Sequence, residues 1–512
     1  MPGTLASGAY TELKNRLAEV HDLGRARDIL IWDERTMMPP NGAAVRAEQL
    51  ATLARVRHEK ATSDELGLLL DELVPYEESQ PYGSDEASLI RVARRDWEKA
   101  RRVPAQLRME MARAASLGEF CWREARTKSD FEMFQPYLAR NVELARRYVE
   151  CFPDIEHMYD PLLDDFEPGM KTAEITAVLE ELKAGLLPLN AAIAERAGEV
   201  DDAPLHGDFP IEQQRALAAA LVRGLPVDAA SWRIDETAHP FESAFATGDV
   251  RITTRYDEHY VGSAVFSLVH EFGHGLYEHD VDPALERTPL CRGVSLGLHE
   301  SQSRMWENRV GRSRAFLRWC KPLLEEHFPG RFKSIDSEQL YRAANKAQAS
   351  LIRVDADETT YDLHIILRFE LEQEIFQGTL ELSDLPEAWN ERVKNYLGLD
   401  TPDDAHGVLQ DVHWSDGSFG YFPTYSLGNV IAGQIWKRMN EALPDLETRI
   451  EAGDFAPLHE WLREHLHRHG RKFTPAETVE RVAGGPVDVG PYLEYLERKY
   501  GELYSLKKIE RR

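Results

Sequence analysis

Along most of the chain, apolar residues recur at three- and four-residue intervals among charged ones, the spacing of a helix with one face turned to a core. The pattern predicts helices over residues 10–30, 43–73, 87–114, 131–149 and 172–196, and again over 337–351, 361–378, 426–443, 458–469 and 489–500. Prolines or glycines stand at many of the junctions, and the acidic stretch 77–85 reads as a loop. One segment breaks the rhythm. Between residues 231 and 262, Trp232-Arg233-Ile234-Asp235 and the run from Asp249 to Tyr256 alternate with period two, which predicts a few strands. An edge strand there could hold an extended peptide by main-chain hydrogen bonds. No repeat, low-complexity tract or long linker divides the sequence, so residues 1–512 are expected to form a single helical domain.

Composition narrows the setting. With 512 residues, 43% of them hydrophobic, the chain can bury a large core. Its 88 acidic residues against 61 basic give a net charge of −27, which opposes nucleic acid and anionic membranes as partners, since phosphate binding needs a cationic face. Cys121, Cys151, Cys291 and Cys320 are widely spaced and form no C-x-x-C, so neither a disulfide framework nor a thiolate metal site is expected, and a reducing cytoplasm is the natural home. Residues 1–23 hold no apolar h-region, and nowhere do eighteen uncharged apolar residues run together, so neither an export signal nor a membrane span is expected.

The candidate chemistry lies just after the predicted strands, in His270-Glu271-Phe272-Gly273-His274. Residues i and i+4 of a helix share a face, so His270 and His274 can grip one metal ion with Glu271 beside it. A catalytic zinc takes three protein ligands and leaves a position for water. If the extended pattern with a glycine and a further ligand applied, these would fall on Tyr277 and Asp280; tyrosine breaks it, although Asp280 could coordinate. Glu300 fits better as third ligand, on a helix expected over 296–310, with an ion pair to Arg304 as the competing role. Glu271 would then act as general base and afterwards as general acid. Zinc is expected, although cobalt shares these ligand preferences. Gly273 allows a close backbone approach, whereas Glu278 and His279 read as a solvated extension of the same helix.

Six motifs in order then make the chain resemble the M32 family of metallocarboxypeptidases, the Taq-type carboxypeptidases. They are His239-Pro240-Phe241 (HPF), Asp249 to Thr253 (DxRxT), His270 to His274, His299-Glu300-Ser301-Gln302 (HESQ), Ile352 to Asp357 (IRxxAD) and Gly407 to Trp414 (GxxQDxHW). The resemblance implies an all-α, deep-groove gluzincin peptidase fold with a small β-sheet near residues 231–262 and an active-site region over 239–425. It also implies a homodimer and release of single amino acids, with broad specificity and proline disfavoured, from peptides with a free C-terminus.

Recognition of a terminal carboxylate calls for a guanidinium, and two arginines compete. Arg353, in IRxxAD, is preferred; Arg251 could touch the groove or pair with a nearby acid. Asp355 and Asp357 are expected to support neighbouring groups rather than to bind metal. A developing oxyanion needs donors. The stretch from Gly417 to Tyr425 is similar to the donor segment of related helical oligopeptidases, which suggests Tyr425 first and His413 second, with Tyr421 contacting substrate and His239 donating to its backbone. His299 is expected to pack beside the ligands. Two other readings remain: an endo-oligopeptidase or dipeptidase with the same machinery, and a helical binding protein whose metal is structural.

Overall fold

The computed structural model describes residues 2–507 apart from residue 238, with side chains from residue 8 onward. The fold is mostly helical with one three-stranded sheet. The N-terminal part comprises α1 (Pro2–Thr36), α2 (Ala43–Ala61), α3 (Asp85–Arg102), α4 (Ala105–Lys128), α5 (Phe131–Val149) and α6 (Thr172–Ala194). The periodic run 43–73 is not one helix: α2 stops at Ala61, and Ser63 caps a new helix, Asp64–Glu72, by accepting from the Leu66 amide. The run 87–114 is also divided, because Pro104 holds Val103 extended between α3 and α4. The expected loop at 77–85 begins inside a short helix, Val74–Ser79.

The predicted strands are present. β1 (Trp232–Glu236) pairs parallel with β3 (Asp249–Thr254), and β2 (Glu242–Ala246) pairs antiparallel on the other side, giving the order β1-β3-β2. The sheet lies against α7 (Gly262–His279), whose Phe266, Leu268, Val269, Phe272 and Leu276 are buried. A Cβ on Gly275 would stand 2.7 Å from both Trp232 and Val250, so glycine lets helix and sheet meet there.

Beyond α7 come α8 (Leu296–Arg304), α9 (Tyr361–Gln377), α10 (Pro423–Ala442) and α11 (Gly490–Leu503). The expected helix over 296–310 is regular only to Arg304 and continues as a π-helical turn, Met305–Gly311. The helix expected over 337–351 ends at Ala344. One large core runs through α4 to α11, and a second cluster joins Leu13, Leu17, Leu66 and Leu70 to Leu285 and Leu290. All four cysteines are free thiols, and no helix among the described residues is long and apolar enough to cross a membrane.

Candidate metal centre

Close helix packing assembles the centre. A Cβ on Gly273 would lie 2.5 Å from the Gln302 carbonyl oxygen, and one on Gly428 would lie 2.5 Å from Glu300 Cγ. Glycine at these two positions therefore lets α7 and α10 close on α8 from both sides. His270 and His274, one turn apart on α7, meet Glu300 of α8 so that one ligand atom from each lies within 4.8 Å of the others. Glu300 Oε2 is 3.3 Å from His274 Nε2 and 3.9 Å from His270 Nε2.

The other ring nitrogens are held from behind, as metal-ligating imidazoles require. His270 Nδ1 lies 2.9 Å from Glu307 Oε2, on the π-helical turn. His274 Nδ1 lies 2.6 Å from His299 Nδ1, and His299 Nε2 lies 3.2 Å from Glu278 Oε1. For Nε2 of His274 to offer a lone pair, its Nδ1 must carry the proton; His299 then accepts at Nδ1 and donates from Nε2 to Glu278. Burial pushes His274 down to about 4, which keeps the ring neutral. Burial would raise Glu300, but Arg304 and the two imidazoles outweigh it and hold the carboxylate well below the usual range. Arg304 Nε donates to Glu300 Oε1 at 2.6 Å, so the ion pair takes one oxygen and leaves Oε2 facing the two imidazoles. Two imidazoles and a carboxylate with firm outer support suit a borderline divalent ion, to which each ring would bind in its neutral form.

Glu271 is buried beside the ligands. Burial pushes its carboxyl up to about 7, with His270 opposing and Glu300 and Glu307 adding to the shift. Asp280 is occupied elsewhere: its carboxylate accepts from His459 Nε2 at 2.8 Å and His467 Nδ1 at 2.9 Å. Glu278 and His279 are not a solvated extension. Glu278 also accepts from the Gly293 amide, and His279 Nδ1 lies 2.6 Å from the Thr247 carbonyl oxygen.

Tyr425 and Gly428 are three residues apart and share the face of α10 that meets Glu300. Tyr425 Oη is 3.2 Å from His413 Nε2, while His413 Nδ1 is buried without a hydrogen-bond partner. The Tyr421 ring lies 5.2 Å from Tyr425 and 5.1 Å from His413. Glu372 fixes this turn, accepting from Trp414 Nε1 at 2.7 Å and the Gly420 amide at 3.0 Å. Gly420 has φ +91° and sits against the Leu162 carbonyl, a place only glycine fills without strain.

Arg353 is buried behind Tyr425, its Cζ 5.0 Å from that ring. Its Nε and Nη2 donate to Asp411 Oδ1 at 2.9 and 2.8 Å, and Nη1 donates to Tyr361 Oη at 3.0 Å. One N–H on each terminal nitrogen is left. Arg251 donates twice to Asp249, at 2.9 Å each, and lies over the Phe245 ring, so an acid of its own strand engages it. His239 is exposed between β1 and β2. Asp357 ties down the start of α9, accepting from the Thr359 amide at 2.8 Å.

Glu307 escapes notice in the sequence and Glu278 reads there as solvated surface, although both carry a signal. Glu307 is seven residues beyond Glu300, and Glu278 four beyond His274, so each shares a helical face with a ligand. Glu372 carries no such signal.

The sequence pattern of the family described as Carboxypeptidase Taq (M32) metallopeptidase matches residues 12–500. Thermostable carboxypeptidase 1 of Thermus thermophilus is 41% identical over 506 residues, covering 97% of this chain and 99% of that protein. Carboxypeptidase 1 of Bacillus subtilis is 38% identical over 495 residues, covering 97% and 98%. The crystal structure of the M32 carboxypeptidase from Deinococcus radiodurans R1 superposes with a TM-score of 0.94 at 40% identity, covering 98% of this chain and all of that one. With the pattern matched over nearly its whole length and relatives of this identity aligned end to end, the chain belongs to the M32 family of metallocarboxypeptidases.

Proposed function

We propose that the protein releases single amino acids, with broad side-chain tolerance, from peptides with a free C-terminus, with zinc as the ion held by His270, His274 and Glu300. The observation that carries this reading is a cluster of three candidate ligands beside a buried carboxyl and a buried guanidinium; three protein ligands are the number a catalytic zinc takes when it keeps a position for water. When bound, the ion supplies Lewis-acid activation of a water and polarisation of the scissile carbonyl.

The chain's own residues supply the rest. Glu271 Oε accepts the proton lost by the attacking water and returns it to the leaving amine. Tyr425 donates its hydroxyl proton towards the developing oxyanion while accepting from His413 Nε2, with Tyr421 packed against both. Arg353, oriented by Asp411 and Tyr361, offers its remaining N–H groups to the terminal carboxylate. A homodimer and a cytoplasmic location belong to the same reading.

A mass-spectrometric time course tests it on free-ended and C-terminally amidated peptides, with and without chelator. The expected result is stepwise loss of one residue at a time, abolished by chelator and by amidation. Equal cleavage of amidated peptide would instead identify an endo-oligopeptidase and remove Arg353 from its role.

A further inference from the structure

A cleft of about 830 Å³ reaches the metal centre at His299 and Phe166, which touch the ligand His274 and Tyr421 respectively. Ser243 and Ala244 of the edge strand β2 form part of its wall. Arg353 is not in that wall. With Arg353 holding the terminal carboxylate, the cleft is where the N-terminal remainder of a peptide runs. This inference therefore rests on the carboxypeptidase reading above.

The protein is strongly acidic, yet the acids of this cleft are committed to partners. Asp96 accepts twice from Arg471, at 2.8 and 3.0 Å. Asp164 pairs with Arg95 at 3.0 Å and also with Lys99, which reaches Asp165 at 2.7 Å. Glu278 is taken up by His299 and the Gly293 amide, and Asp28 lies 3.8 Å from Arg25. Glu242, at the metal end, is half-buried with its Oε1 shut from water and unpartnered, which favours its uncharged form.

Arg292 stands apart from this balance. It is exposed in the cleft, and among the described residues it makes no hydrogen bond or ion pair through its guanidinium. Its backbone is nonetheless pinned on both sides. The Gly293 amide donates to Glu278 at 2.7 Å, the Cys291 carbonyl accepts from Arg25 Nη2 at 3.3 Å, and the Leu290 carbonyl accepts from the Arg471 amide at 3.0 Å. The strongest electrostatic influence on Arg292 is the like charge of Arg471, to which desolvation in the cleft and Arg25 add, while Asp96 and Glu278 offset it in part without contacting the guanidinium. An arriving carboxylate would relieve that repulsion and find a donor fork on a fixed base.

We infer that Arg292, backed by Arg471 and Arg25, forms a subsite for an acidic side chain of the substrate on the N-terminal side of the bond cut. It is a specificity-determining residue, separate from the groups that act on the scissile bond. Exposed charge pairs reach the upper end of their range when one partner is preorganised, so a preference of about fivefold for Glu over Gln is expected, shrinking as salt rises.

The test uses pentapeptides of equal length carrying Glu, Gln or Lys at each position N-terminal to the last residue in turn. The ratio of kcat/KM values is measured for the wild type, Arg292→Gln and Arg292→Glu. Binding of the same peptides, fluorescently labelled at the N-terminus, is measured by anisotropy in chelator, where nothing is cleaved. The expected result is a Glu/Gln ratio near five in the wild type, near one in Arg292→Gln, and a preference for Lys in Arg292→Glu, with binding following the same order. A wild type that treats the three peptides alike, or a Glu preference that survives in both variants, overturns the inference. Binding selectivity that follows Arg292 without hydrolysis of any peptide would uphold the subsite and remove the hydrolase reading instead.

Discussion

Glu307 offers the sharpest test of how the metal centre is held. Its Oε2 lies 2.9 Å from His270 Nδ1 and its Oε1 3.1 Å from Arg312 Nη2, with Arg304 Nη1 3.5 Å away. The carboxylate fixes the tautomer that turns His270 Nε2 towards Glu300 and raises the basicity of the ring. In Glu307→Gln the amide oxygen can still accept from Nδ1, but the charge is lost, Arg312 loses its ion-pair partner and Arg304 keeps only Glu300. A hydrogen bond to a charged group contributes about 1.5–3 kcal/mol, which at about 1.4 kcal/mol per decade is about 10- to 100-fold in metal affinity. Glu278→Gln acts through His299, one ring further from the ion, and is expected to cost less. The assay is competition against a chromophoric chelator, with protein stripped and remetallated, and near-ultraviolet circular dichroism as the check that the fold is intact. A folded Glu307→Gln protein that binds zinc within about twofold of wild type would refute the argument that this carboxylate sets the affinity.

Two further outcomes follow from packing and charge. Gly273→Ala sets a Cβ 2.5 Å from the Gln302 carbonyl oxygen and 2.8 Å from Ser303 Cα, so backbone must move. The roughly 1–3 kcal/mol of overpacking outweighs a helix-propensity gain of roughly 1 kcal/mol, and both Tm and zinc affinity should fall; an unchanged pair of values would contradict the close approach of α7 and α8. Asp280 is held down to about 2 because its hydrogen bonds to His459 and His467 outweigh burial. A carboxylate with a depressed folded pKa stabilises above its unfolded value, near 4, and loses that contribution as pH falls towards 2, a difference of about 2 kcal/mol. Asp280→Asn should thus lower the urea midpoint at pH 7 by about twice as much as near pH 3; equal losses at both would show that the hydrogen bonds rather than the charge matter.

The site was legible in the sequence where chemistry is local. His270, Glu271 and His274 owe their relation to a single helical turn, and Glu300 could be proposed because one ligand was still owed and a second helix was at hand. Local pattern failed where an element's limits depend on its surroundings. The run 43–73 keeps a helical rhythm across Thr62 and Ser63, and only the cap shows that the chain turns. Glu278 and His279 look solvated by composition, yet loops distant in sequence cover them. In sequence, Arg353 is preferred to Arg251 through its IRxxAD motif alone; the physical difference between them is that one is buried beside Tyr425 and the other lies on the sheet with Asp249.

By itself, then, the sequence determined the helical class, the small sheet, the candidate ligand triad and the family, because each is written in spacing along a few turns of chain. Only the tertiary structure decided which acids stand behind the ligands, which arginine is spoken for and which is left open in the cleft. Those properties depend on burial and on partners hundreds of residues away, such as Arg25 with Cys291 or Arg471 with Asp96, and no local pattern carries them.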